Sequence, residues 1–235
     1  MPAGSSSGAA NGFLVTSRHV VIDAPSQHFP DRLELELHVD AANLGASEWF
    51  SVPLYAAGQS LWRQGIDVAI IEIQRSALPR GASYYAFGPE HLAGPRQMTP
   101  TGASLLIVGF PLGFHDSLHH LPVVRQGVLA SAFGLRFQGK GCFATDARTH
   151  RGTSGVPVVM SARSGEDAPG ELPWVLLGVH SSTIDGYERH AARRITGSQQ
   201  RVVCGHSDDP DRSLAGMRIA FLFTVSSPIR WAERT

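Results

Sequence analysis

The chain has 235 residues, 43% hydrophobic and 17% charged, and its 20 basic and 20 acidic side chains leave no formal net charge. That length buries one large core or two small ones. The balanced charge excludes a general nucleic-acid or anionic-membrane surface, and no window approaches the roughly 18 apolar residues of a membrane span.

Two cysteines, Cys142 and Cys204, make no disulfide framework, and without a C-x-x-C a cysteine zinc site is not expected. A bridge between them and two unlinked thiols both stay open. The first residues, MPAGSSSGAANGFLVTSRH, lack a charged start followed by an apolar run. No export signal is read there, and the expected location is cytoplasmic.

Along the chain, short runs of Val, Ile, Leu and Phe alternate with turn-forming Gly, Pro, Asn and Asp clusters, the pattern of an all-β barrel or sandwich. The first half predicts strands at 13–16, 33–39, 48–54 and 67–73. In 33–39 apolar and polar residues alternate at period two, which predicts Leu33, Leu35, Leu37 and Val39 facing inward. A proline-rich stretch over 78–100 reads as the linker between two halves. The second half predicts strands at 104–110, 121–132, 141–146, 156–160, 174–180 and 218–225, enough for a closed Greek-key barrel. Loops are expected at 161–172 and 184–216. Ser227 before Pro228 predicts a short final helix.

Three segments carry candidate chemistry. Leu14-Val-Thr-Ser-Arg-His-Val-Val21 places His19 at the end of an apolar strand. Asp67-Val-Ala-Ile-Ile-Glu-Ile73 opens a buried strand with Asp67. Arg151-Gly-Thr-Ser-Gly-Val-Pro-Val158 sets Ser154 in a Gly-flanked turn. A serine hydroxyl is a weak nucleophile and needs a neutral imidazole to take its proton. A carboxylate on the far ring nitrogen fixes the tautomer and stabilises the imidazolium. Glycine before the serine frees the backbone to aim the N–H groups of Gly152 and Ser154 at one oxyanion. Each piece alone is common; their occurrence together, in the order His, Asp, Ser and each beside its own strand, is not.

These residues resemble the trypsin-like serine peptidases, especially the bacterial HtrA-like and glutamyl endopeptidase groups. The most specific stretch is Ala144-Thr-Asp-Ala-Arg-Thr-His-Arg-Gly-Thr-Ser-Gly-Val-Pro157. Ser104-Leu-Leu-Ile-Val-Gly-Phe-Pro-Leu-Gly113 matches the first strand of the family's second barrel, and Trp174-Val-Leu-Leu-Gly-Val-His-Ser-Ser182 the strand that flanks substrate. The resemblance implies an all-β fold of two Greek-key β-barrels of the six-stranded kind with a short C-terminal helix. Residues 1–90 would form the barrel carrying His19 and Asp67, and 91–235 the barrel carrying Ser154. Against the family, only a short segment precedes His19, so the expectation is a first barrel incomplete at its N-terminus.

The implied activity is serine endopeptidase. His19, Asp67 and Ser154 form the triad, Gly152 and Ser154 the oxyanion hole, and a protein or peptide is the substrate. No metal, no organic cofactor, no nucleic acid and no membrane is implied. The alternative is a catalytically inactive trypsin-like fold serving as a peptide-binding or scaffolding module. An esterase of the α/β-hydrolase kind is set aside, because position 156 is Val rather than Gly and a strand follows.

Two departures from the family stand out. Thr153 replaces the Asp of animal digestive enzymes, so activation by a freed N-terminus is not expected. Val156 replaces the usual second glycine after the nucleophile and puts the local loop geometry in question.

For specificity, the resemblance assigns the substrate pocket to Arg148, Thr149, His180, Ser181 and Ser182. Thr149 with His180 resembles the pair by which glutamyl endopeptidases and viral 3C-like proteases read Glu or Gln. A hydroxyl and an imidazole N–H both donate to a side-chain carbonyl or carboxylate. Arg148 and Arg151 add positive field. Ser181 matches a serine that supports the triad Asp in many members; a plain strand-end hydroxyl stays open beside that. Phe114-His-Asp-Ser-Leu-His-His120 and the acidic stretches near 166 and 208 read as exposed loops rather than metal sites.

Overall fold

The structure, a computed structural model, describes residues 12–64, 67–93, 99–150, 152–162, 172–183, 201–204 and 230–232. The second half closes on itself. Its strands are β8 (Ser104–Gly109), β9 (Val123–Leu129), β10 (Cys142–Asp146), β11 (Pro157–Ser161), β12 (Trp174–Thr183) and β13 (Arg201–Cys204). They run in the order β10-β13-β12-β11-β8-β9, and β9 pairs back onto β10. All these pairings are antiparallel. Closure leaves no barrel edge for another chain to extend. Leu105, Ile107, Leu129, Phe143, Val158, Val175 and Leu177 fill its interior, as inward-facing alternate residues should.

The first half is built from β1 (Gly12–Ser17), a single helical turn α1 (Arg18–Val21), β2 (Arg32–His38), β3 (Ser47–Pro53), β4 (Tyr55–Ala56), β5 (Gln59–Ser60), β6 (Trp62–Gln64) and β7 (Val68–Ile73). Among the described residues these strands, with β14 (Arg230–Ala232), make two three-stranded sheets, β1-β7-β6 and β14-β2-β3, and the ribbon β4-β5, rather than a ring. Leu33, Leu35 and Leu37 are fully buried in one core with Leu14, Val52, Leu54 and Ile71. Burying each such side chain contributes about 1.5–3 kcal/mol. Val39 is only half-buried.

The polar face of β2 is buried as well. Glu36 and His38 are covered by the loop between β8 and β9, where His38 Nε2 meets the His119 carbonyl at 2.9 Å and Glu36 lies 3.4 Å from His120. The strict in–out alternation therefore stops being a guide where a loop from the other half lies on the outer face.

A third cluster joins the halves: Val15, Phe87, Val159, Leu176 and Val179, with Val68 and Leu92 against it. The linker over 78–100 contributes to it, since Leu92 bridges to Leu176 and the Ala93 N–H donates to the Leu176 carbonyl at 3.1 Å.

Two sequence expectations are corrected. The sixth barrel strand is β13, inside the stretch read as a long loop; the run at 218–225 lies outside the described residues. Arg230–Ala232, where the final helix was expected, forms strand β14 and pairs with β2, Arg230 opposite Glu34 and Trp231 opposite Leu33. The Ser-Pro start of that helix lies outside the described residues. Backbone pairing to a waiting strand edge decides Arg230–Ala232 where a local cap signal had pointed to helix.

Candidate active site

The antiparallel pairing of β1 with β7 puts Ser17 opposite Val68, so the turn after β1 arrives beside the residue that leads into β7. His19 sits in that turn rather than on the strand. The ladder continues one step further, with the Arg18 N–H donating to the Asp67 carbonyl at 3.2 Å. His19 then meets the Asp67 carboxylate twice. Its backbone N–H donates to Oδ1 at 3.2 Å, and ring Nδ1 lies 2.9 Å from Oδ2 and 3.2 Å from Oδ1. An ionised carboxylate only accepts, so Nδ1 carries the proton and Nε2 of the neutral ring keeps its lone pair.

Ser181 supplies a second donor to Asp67. Between His180 and Ser182 the register of β12 on β13 slips by one, which leaves Ser181 as the extra residue of a β-bulge. A bulge re-aims a side chain, and the buried Ser181 hydroxyl donates to Asp67 Oδ2. Burial would push the Asp67 carboxyl up, but the hydrogen bonds from His19 and Ser181 outweigh it and hold Asp67 below its ordinary value.

Ser154 stands in the turn before β11. Thr153 closes that turn on His150, its hydroxyl donating to the His150 carbonyl at 2.7 Å. Gly152 and Gly155 flank the serine at φ of +87° and +84°, a left-handed region that side chains rarely adopt. Gly155 also needs the space: a Cβ there would meet Thr16 Oγ1 and lie 2.9 Å from the Ser17 nitrogen. The turn carrying Ser154 thus rests directly on the end of β1, two residues from His19.

The contact is bolted at the His180 carbonyl, which accepts the Gly155 N–H at 2.8 Å and the Ser17 hydroxyl at 3.0 Å. The Ser154 hydroxyl donates to the Ser181 carbonyl at 3.2 Å. Ser181 therefore touches both Asp67 and Ser154. None of the backbone hydrogen bonds between described residues uses the N–H of Gly152 or Ser154. Val156 fits because its side chain occupies the place where Gly109 of β8 lacks a Cβ.

Of the proposed specificity residues, Thr149 and His180 are both buried and meet, Thr149 Oγ1 to His180 Nε2, at 2.9 Å. Arg148 is exposed. Arg151 lies outside the described residues, and so does the side chain of Ser182. The histidine-rich loop does not gather into a cluster. His115 bonds the Gly113 carbonyl, His119 bonds Asp116, and His120 faces Glu36. The acidic stretches near 166 and 208 lie outside the described residues. Ser17, whose hydroxyl fastens the two halves together, was missed by sequence reasoning, because nothing local marks a serine whose partner is a carbonyl on a distant strand.

Two solved structures of the Rv3671c protease from M. tuberculosis resemble the chain. The inactive form, a serine-to-alanine mutant from strain H37Rv, is 16% identical over 75% of this chain and 72% of its own, with a TM-score of 0.33. The active form is 13% identical over 87% of this chain and 88% of its own, with a TM-score of 0.34. None of the curated proteins matches the chain. Residues 5–166, more than half of the sequence, match the family model of the trypsin-like peptidase domain, and the chain belongs to that family as a serine peptidase.

Proposed function

We propose that the chain hydrolyses peptide bonds through an acyl-enzyme, with Ser154 as nucleophile, His19 as general base and then acid, and Asp67 as the group that orients His19. The carrying observation is the 2.9 Å contact of His19 Nδ1 with Asp67, made beside a nucleophile turn packed on Thr16 and Ser17. Ser154 Oγ bonds to the scissile carbonyl carbon as its proton passes to His19 Nε2. The tetrahedral intermediate collapses, and the C–N bond breaks as the leaving amine takes that proton. Water, deprotonated by the same imidazole, then releases the acyl group. The N–H groups of Gly152 and Ser154 receive the oxyanion; losing one such donor costs roughly 10²–10³ in rate. Ser181 holds Asp67 ionised. Thr149 and His180 favour Glu or Gln at the residue before the cleaved bond.

A fluorophosphonate probe tests the reading. It should label wild type at Ser154, leave Ser154→Ala untouched, and label His19→Ala slower by about three orders of magnitude or more. One observation favours a second reading, a silent peptide-binding module: the Ser154 hydroxyl is engaged with the Ser181 carbonyl rather than with His19. A folded wild-type protein that takes up no probe would establish the module instead.

A further inference from the structure

Between β9 and the segment that follows β10 lies an open cavity of about 330 Å³, lined by Phe114, Val123, Val124, Arg125, Gln126 and Arg148. It has two cationic walls and no acidic one. Among the described residues neither Arg125 nor Arg148 has an anionic partner, and Arg125 Nε is buried without an acceptor. Guanidinium groups donate and never accept, so they cannot satisfy one another. Two of them on one cavity repel unless an anion sits with them. Phe114, Val123 and Val124 add apolar wall beside the Gln126 amide, which suits the methylene stem of a side chain that ends in a carboxylate.

Two of the lining residues belong to segments that lead to the turn carrying Ser154. Arg148 is on the segment that runs into Ser154. Phe114 directly follows the Pro111–Gly113 turn, whose backbone backs Gly152: a Cβ on Gly152 would lie 2.8 Å from the Phe110 carbonyl oxygen and 3.1 Å from the Leu112 nitrogen. The cavity is also distinct from the Thr149–His180 pair. Exposure alternates through Ala147, Arg148, Thr149 and His150, so Thr149 is buried while Arg148 is exposed and lines the cavity.

The geometry points to a separate acidic subsite, in which Arg125 and Arg148 together bind one Asp or Glu carboxylate of the substrate polypeptide. Arg125 is thereby a specificity residue. This rests on the peptidase reading for its choice of ligand but not on turnover. A single cavity with two arginines does not offer the extended basic track that a nucleic-acid backbone needs.

The test uses the full chain carrying Ser154→Ala, with labelled peptides that bear a single Glu at successive positions and their Gln counterparts, read by fluorescence anisotropy at constant ionic strength. At one position the Glu peptide should bind about 10-fold tighter than its Gln counterpart, as expected for a charge-assisted contact. That preference should shrink at high salt and fall within about twofold in Arg125→Gln and, separately, in the exposed Arg148→Gln, while Thr149→Val retains it. Equal binding of every Glu and Gln pair overturns the proposal, as does a preference that survives both arginine variants or is lost only in Thr149→Val. Calorimetric binding of inorganic phosphate without any Glu preference assigns the cavity to a free anion and overturns it too. Binding needs no catalysis, so a protein that takes up no fluorophosphonate strikes the mechanism and leaves this measurement readable.

Discussion

Gly155 lies against Thr16, so closely that the smallest side chain at 155 would strike the Thr16 hydroxyl oxygen and the Ser17 backbone behind it. This contact joins the segment carrying Ser154 to the segment carrying His19. Gly155→Ala therefore strains both the positive φ and the interface. It should cost about 1–3 kcal/mol in thermal or urea unfolding. Fluorophosphonate labelling of the still-folded variant should fall further than stability accounts for. Thr16→Ala in the same chain should restore only part of the loss, because the Ser17 nitrogen remains in the way.

Ser181→Ala removes a hydroxyl donor from a carboxylate. At neutral pH it should destabilise the protein by about 1.5–3 kcal/mol, the range for hydrogen bonds to charged groups. The sign in pH follows from Asp67, whose folded-state value is lowered. Its contribution is fully present above the ordinary aspartate value of about 3.9 and is lost as pH falls through the lower folded value. Urea unfolding of wild type and variant should thus differ most near neutrality and converge in strong acid. A gap that widens in acid refutes this account. The variant should also lower kcat/KM by about tenfold, since Asp67 is left less well held.

Val156 and Gly109 are complementary in shape, the side chain of one filling the space the other leaves empty. Gly109→Ala drives a methyl group into Val156 and should cost about 1–3 kcal/mol. Val156→Gly added to it should recover much of that cost. A double-mutant cycle measures the coupling, expected within about 0.5–3 kcal/mol. Additive single effects would show that the two positions do not share space.

For the Thr149–His180 pair, reporter peptides ending in Glu, Gln, Ala or Arg before the scored bond give the decisive comparison. Glu and Gln should be cut fastest, and Thr149→Val should reduce their kcat/KM by about tenfold or more relative to Ala. A wild-type preference for Arg or Ala removes the assigned role.

The distribution of legible and illegible features follows the range of the forces involved. Alternation along β2 identified Leu33, Leu35 and Leu37 as core, because which face of a strand is apolar is written in adjacent residues. The segments holding His19, Asp67 and Ser154 were readable for the same reason, each being a short strand-and-turn signature. Burial of Glu36 and His38 was not readable, since the covering loop comes from some 80 residues further along. Nor was the bulge at Ser181, which exists only as a slipped register between β12 and β13.

The sequence by itself determined an all-β chain, its apolar faces and its likeness to serine peptidases, since propensity, alternation and turn chemistry act over a few residues. Tertiary structure alone decided that Arg230–Ala232 adds to β2 as a strand, that the Ser17 hydroxyl and the Gly155 amide share the His180 carbonyl, and that Arg125 and Arg148 line one cavity. Each of those depends on a partner distant in sequence, and no local preference encodes which strand edge, carbonyl or charge the folded chain will bring alongside.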